Sequence, residues 1–178
     1  EEINQLERTI KLLSRGMGSR TSSLGRLFDA VAAIVLQMME SSFEGELAMR
    51  LEAACDPSAD GEYELMIDNT AEIPRLDWRP LLLQLRDDKA AGIHTGVIAM
   101  RFHRAIATAV ARIASQFQDY PVVLCGGCFQ NRVLTELIAA RLTSHPQLLG
   151  LPGLIPPNDG GLAAGQLAIA QARLQQLQ

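Results

Sequence analysis

Cysteine is scarce in this chain. Cys55, Cys125 and Cys128 are the only three in 178 residues, an odd number that excludes a disulfide scaffold and points to a reducing compartment, with the cytoplasm expected. Positive charge is also short: 16 Lys and Arg against 20 Asp and Glu give a formal net charge of −4 and a pI near 5.4. The basic residues are scattered, so no field suits a nucleic-acid backbone, and nucleic acid is not expected as a partner. No apolar run approaches the roughly 18 to 20 residues of a membrane helix. The start, Glu1-Glu2-Ile3-Asn4-Gln5, is acidic rather than basic and then apolar, so neither a membrane span nor a signal peptide is expected. A Ser/His/Asp order, a Walker glycine loop with lysine, an H-E-x-x-H motif, internal repeats and low-complexity tracts are all missing.

What is present is a composition 48% hydrophobic, enough for one domain with a core and too little chain for two. The sequence lacks an initiator methionine and opens inside a polar helical pattern. It is therefore expected to be one partial domain over residues 1–178, with the rest of a larger protein before Glu1.

Ile3, Leu6, Ile10 and Leu13 share a helical stripe that Gly16-Met17-Gly18 breaks. Thr21-Ser22-Ser23 offers capping hydroxyls ahead of a buried helix through Phe28, Val31 and Val35 to about Met39. Ser41 with Glu44 reads as a capping box for a helix through Leu47, Leu51 and Ala54. Tyr63 to Ile67 suits a short edge strand, and Asp77 can cap a helix carrying Trp78, Leu81, Leu82 and Leu85, with Pro80 in its first turn. His94 to Phe117 is alanine-rich and reads as a long buried helix.

The last third changes character. Val122-Val123-Leu124 reads as a central strand covered on both faces, followed by Gly126-Gly127 and a helix through Val133, Leu134, Ile138 and Leu142 that Ser144-His145-Pro146 ends. A short strand is expected near Gly153 to Ile155, and Asp159-Gly160-Gly161 opens a final helix with a polar tail from Gln171 to Gln178. The order strand, helix, strand, helix predicts parallel strands. Residues 1–120 thus form a mainly helical part and 121–178 an α/β part.

Two short apolar runs that each end in paired glycines and enter a helix are a common way to build a nucleotide site. At Gly126-Gly127 the backbone can approach a ligand or a crossing helix without a Cβ between. Asn131, expected in the first helical turn, can bond to a ribose or base; a tight turn with a polar helix start explains the same residues. Asp159 reads either as an N-cap or as a ligand to a metal or metal–phosphate, with Asn158 an alternative cap. The Ser23, Gly25 and Arg26 segment suits an anion or ordinary capping. Cys125-Gly-Gly-Cys128 lacks a thioredoxin-like context for redox work, and no spaced partners make it a zinc site. A lone helical His103 reads as packed or capped rather than catalytic.

The words Thr21-Ser-Ser-Leu-Gly-Arg-Leu-Phe-Asp-Ala30, Arg101-Phe-His103, Gly126-Gly-Cys-Phe-Gln-Asn131 and Pro156-Pro-Asn-Asp-Gly-Gly161 with Gly165-Gln166 together resemble the C-terminal region of the hydrogenase-maturation carbamoyltransferase (HypF) family. The resemblance implies a helix-dominated α/β fold, part of the second lobe of an actin-like ATPase (ribonuclease H-like) domain with a short, mostly parallel sheet. It implies an enzyme that makes carbamoyl adenylate from ATP and carbamoyl phosphate. The carbamoyl group would pass to the C-terminal cysteine of a partner maturation protein on the way to the cyanide ligand of nickel-iron hydrogenase.

By position, the resemblance assigns Gly126, Gly127 and Asn131 to the adenosine, Asp159 to a divalent metal (zinc, iron and magnesium are not distinguished), and Ser23, Gly25 and Arg26 to the same cleft. Cys125 and Cys128 stand where small residues usually flank the glycines. The paired metal histidines and the phosphate-holding hairpins of the family are missing from this sequence, so the chain alone is expected to be inactive, with an exposed apolar face prone to self-association. Related readings are an O-carbamoyltransferase, a tRNA threonylcarbamoyl transferase, and a non-catalytic nucleotide-binding module.

Overall fold

The structure, a computed structural model, describes residues 2–19, 21–68, 70, 73, 75–144 and 149–176. Its centre is helix α5 (Thr95–Ala114), on which Ile98, Ala99, Phe102, Ala105, Ile106 and Ala109 recur at helical spacing and are all buried. Small alanines between large side chains let neighbouring helices pack closely. Helix α2 (Leu24–Leu36), α4 (Arg79–Ala90) and α6 (Arg132–Arg141) lie against it. Phe28 of α2 meets Phe102 edge to face, ring centroids 4.9 Å apart, a geometry worth about 0.5 to 1.5 kcal/mol beyond area burial.

Helix α1 (Glu2–Ser14) forms as expected, with Ile10 and Leu13 exposed; Ile3 and Leu6 lie outside the residues whose side chains are described. Helix α2 stops at Leu36 rather than near Met39 because Gln37 turns left-handed at φ 56, and Lys89 Nζ donates to the Val35 carbonyl at 2.7 Å. Ser23 holds the cap position of α2 without a side-chain bond; it is Thr21 Oγ1 that accepts, from the Ser23 amide.

The expected Ser41–Glu44 capping box also shifts. Helix α3 is Glu46–Ala53, and Glu46 accepts from the Ser42 amide at 2.6 Å and from Arg50 Nε at 2.9 Å. Left-handed Gly45 lets the chain turn into the helix there.

The edge strand is β1 (Met66–Asp68), paired antiparallel with a strand the sequence did not suggest, β2 (Arg75–Asp77). Asp77 then accepts from the Arg79 amide at 3.1 Å. In the α/β part, β3 (Val122–Val123) pairs in parallel with β4 (Leu149–Gly150), joined through α6. Two expectations fail here. The second strand lies ahead of Gly153 to Ile155, and β3 is not covered on both faces, since Val123 is 64% exposed. A two-stranded sheet packs its buried face through Leu124, whose amide donates to the Gly150 carbonyl at 2.9 Å.

Helix α7 (Leu162–Gln176) has no buried residue, and Leu162, Leu167, Ile169 and Leu174 are exposed along it. His145 and Pro146, expected to end α6, lie outside the described residues. Among the described residues no helix is long and apolar enough to cross a membrane.

Candidate functional site

Gly126, at φ 104 and ψ 163, adopts a conformation side-chain-bearing residues rarely accept. Its amide donates to the Pro157 carbonyl, which ties the turn after β3 to the loop before α7. A one-turn 3-10 segment, Gly127–Gln130, follows, closed by Phe129 N–H to Gly126 O at 3.1 Å. Gly127 is different: a Cβ there would meet only Gln130 Nε2, at 3.9 Å. The fold demands glycine at the first position and leaves space at the second.

The loop is organised by Asn158, not by Asp159. Asn158 Oδ1 accepts from the Gly160 amide at 3.1 Å, and its carbonyl from the Gly161 amide at 2.9 Å. A Cβ on Gly161 would run into the Pro156 carbonyl. Asp159 is exposed at the head of the 3-10 turn Asp159–Gly161, and among the described residues its carboxylate has no hydrogen-bond or ion-pair partner.

The third segment arrives from α2. Ordinary contact, 3.8 Å, separates the position of a Gly25 Cβ from Cys128 Sγ, so the 3-10 turn rests on the first turn of α2. Arg26 pairs with Asp29 at 2.8 Å. Ser23, Arg26, Asp29, Ser41 and Glu46 line a depression of about 580 Å3 between the starts of α2 and α3. No sequence motif marks Asp29 by itself as a site residue. The available signal was its spacing, one helical turn after Gly25.

Asn131 is the N-cap of α6 rather than a residue of its first turn. It is 9% exposed. Its Oδ1 accepts from the Leu134 amide at 2.8 Å and its Nδ2 donates to His103 Nε2 at 2.9 Å. The other ring nitrogen, Nδ1, lies 2.8 Å from the Ala99 carbonyl, which can only accept. The network therefore puts the proton on Nδ1 and the lone pair on Nε2. Burial holds the His103 pKa below the ordinary value, against a smaller opposite effect of the Ala99 bond.

Glu52 of α3 completes the arrangement. Its Oε1 accepts from the Arg132 amide at 2.7 Å and the Val133 amide at 3.3 Å.

Cys55 Sγ sits 3.3 Å from His103 Nδ1, giving a thiol–imidazole–amide series. It is not an activated nucleophile, since burial first and the Glu52 charge second push its thiol up to about 12. Burial likewise raises the Cys128 thiol, with Asp29 adding to the effect and Arg26 opposing it. All three cysteines are free. Arg101, in the Arg101-Phe-His103 word, has a structural role: it bonds to Asp88 at 2.6 Å and to the Asp60 carbonyl at 3.1 Å.

Of the residues expected at a site, the turn Gly126-Gly127, the Ser23 to Arg26 segment and the Asp159 loop thus belong to three connected segments, while the Asn131 amide is largely engaged inside the protein. Among the described residues, no group of three or more His, Cys, Asp or Glu is arranged to hold a metal.

Residues 1–166 match the family described as "Carbamoyltransferase, Kae1-like Domain, second subdomain". The chain is 37% identical over 165 residues to carbamoyltransferase HypF of Synechocystis, covering 92% of this chain and 21% of the relative. It is 40% identical over 160 residues to the HypF of Rhizobium leguminosarum, covering 85% of this chain and 20% of that protein. The chain thus spans about a fifth of the length of these curated relatives. Among solved structures, a full-length HypF in a phosphate- and nucleotide-bound form superposes with a TM-score of 0.87 at 31% identity, over 96% of this chain and 23% of that one. The HypF of T. kodakarensis, 22% identical with a TM-score of 0.78 over 97% of this chain and 23% of its own, shares the fold. The helix-dominated α/β fold with its short parallel sheet, the ordered motifs and these matches agree: this chain belongs to the carbamoyltransferase HypF family, within the second subdomain of its Kae1-like domain.

Proposed function

We propose that this chain forms one wall of the nucleotide site of an ATP-dependent carbamoyltransferase. In this reading the whole protein makes carbamoyl adenylate from ATP and carbamoyl phosphate, in the cytoplasm. It passes the carbamoyl group to the C-terminal cysteine of a partner protein in nickel-iron hydrogenase maturation. The carrying observation is the Gly126 amide bonded to the Pro157 carbonyl, which brings the two glycine turns together. The nucleotide-bound state of a relative with a TM-score of 0.87 supports it.

Residues 121–178 supply the nucleotide part and residues 1–120 its helical support. The turn at Gly126-Gly127 backs the nucleoside, and Asn131 contributes to that site mainly by fixing the start of α6 through Leu134 and His103. Ser23, Gly25 and Arg26 face the same cleft, where Asp29 adds acceptors suited to a ribose diol. These groups orient the adenylate while a thiolate attacks its carbamoyl carbon; the C–S bond forms, the C–O bond to the phosphate breaks, and AMP leaves.

One exposed carboxylate is not a metal centre. Asp159 would supply a single ligand to a divalent ion whose other ligands come from elsewhere in the protein. By itself the chain is expected to be inactive.

The test uses the full-length protein. Asp159→Ala should abolish transfer to the acceptor cysteine while leaving ATP affinity close to that of the parent; near-normal transfer removes Asp159 from the reaction.

A further inference from the structure

A helix N-terminus beside a glycine turn is normally open to anions, because its first amides lack partners and its dipole favours negative charge. At α6 those amides are already engaged. Arg132 and Val133 donate to Glu52 Oε1 at 2.7 and 3.3 Å, and Leu134 donates to Asn131 Oδ1 at 2.8 Å. The carboxylate comes from another helix, α3, 80 residues away in sequence from the amide it meets. The capping amide is fixed in turn by His103 Nε2.

We propose that Glu52 is a resident anion that closes the N-terminus of α6 to phosphate, so that the glycine turn receives an uncharged part of its ligand. Glu52 and His103 are positioning residues in this arrangement. Glu52 sets the first two amides of α6, and His103 sets the Asn131 side chain that holds the third. Only the identity of that uncharged part, a nucleoside, rests on the function proposed above.

A consequence is that phosphates must lie away from α6. Arg26 is the cation that lines the depression, and it is already paired with Asp29 at 2.8 Å. The phosphate-holding groups are therefore expected in another part of the protein, and the discrimination at α6 is against charge rather than for it.

Hydrogen–deuterium exchange on the full-length protein, read on peptides covering 126–134 with and without inorganic phosphate, tests the closure. In the parent protein phosphate should leave the amides of 132–134 unchanged. In Glu52→Ala the amides of 132 and 133 should exchange roughly fivefold faster, as loss of their capping partner predicts, and excess phosphate should restore their protection. Glu52→Gln, which keeps the acceptor but loses the charge, should exchange at a rate between those of the parent and Glu52→Ala. Protection of 132–134 by phosphate in the parent overturns the proposal, as does a Glu52→Ala protein that phosphate does not re-protect. If Glu52→Ala does not fold, Glu52→Ser carries the same expectations. An adenosine titration of the parent separates the two ideas: no binding there defeats the nucleotide reading while the exchange result still decides the role of Glu52.

Discussion

The amide of Gly126 donates to the carbonyl of Pro157, so the turn after the first strand of the parallel pair and the loop before the last helix are one structural unit. The bond also explains why Gly126 sits at φ 104. The backbone must turn its N–H toward a loop that arrives from outside the two-stranded sheet, and only glycine reaches that conformation cheaply.

The glycines are therefore expected to respond differently to alanine. Gly126→Ala meets no atom within 4 Å but is strained by its φ, costing about 1 to 3 kcal/mol. Gly161→Ala drives a Cβ into the Pro156 carbonyl and should displace the loop that carries Asp159. Gly127→Ala should change stability by less than about 0.5 kcal/mol, yet weaken ATP binding if the nucleoside lies on this turn. Urea unfolding and calorimetric titration of the full-length variants separate these effects. Unchanged ATP affinity in Gly127→Ala would remove that glycine from the site.

Thiol reactivity should follow exposure and ionisation. Cys125 is exposed, whereas burial raises the Cys128 thiol and pushes Cys55 up to about 12. Because the thiolate is the reacting form, brief iodoacetamide treatment of the native protein near neutral pH should label Cys125 first and leave Cys55 unmodified until denaturant is added. Mass spectrometry of tryptic peptides reads the order. Early labelling of Cys55 would mean that its contact with His103 activates rather than buries it.

Much of this arrangement is legible along the chain, for reasons that also set the limit. The spacing of Ile98, Phe102 and Ile106 identifies α5 because a buried helix repeats its apolar face locally. The glycine turns are readable because their conformational demands are local. The strand Leu149–Gly150 is not, since two residues carry no periodicity and are defined only by pairing with Val122 and Val123. Arg75–Asp77 escaped for the same reason. The contact of Glu52 with the α6 amides joins residues 80 and 81 positions apart and leaves no local trace. Asn131 was legible as a polar residue at a helix start, but whether its amide faces a ligand or His103 depends on where α5 packs.

That last pair yields a pH prediction whose sign can be reversed by one atom. Buried His103 has its pKa held below the ordinary value of 6.5. The unfolded chain therefore takes up the proton at higher pH than the folded one. Its contribution to stability should be full above 6.5 and decline as pH falls below that value towards the lowered folded one. Protonation would also place an Nε2 donor against the Asn131 Nδ2 donor. Asn131→Ala removes the cap and leaves Nε2 unpaired, costing about 1 to 3 kcal/mol at neutral pH. Asn131→Asp keeps the acceptor for the Leu134 amide but sets a carboxylate oxygen against Nε2, which favours the imidazolium. If its folded pKa rises above 6.5, stability is present below that value and is lost as pH rises through the raised one, by about 1.4 kcal/mol for each tenfold change in proton affinity. Urea unfolding from roughly pH 5 to 8 should give opposite slopes for the parent and Asn131→Asp proteins. Parallel curves would show that His103 does not set the Asn131 side chain.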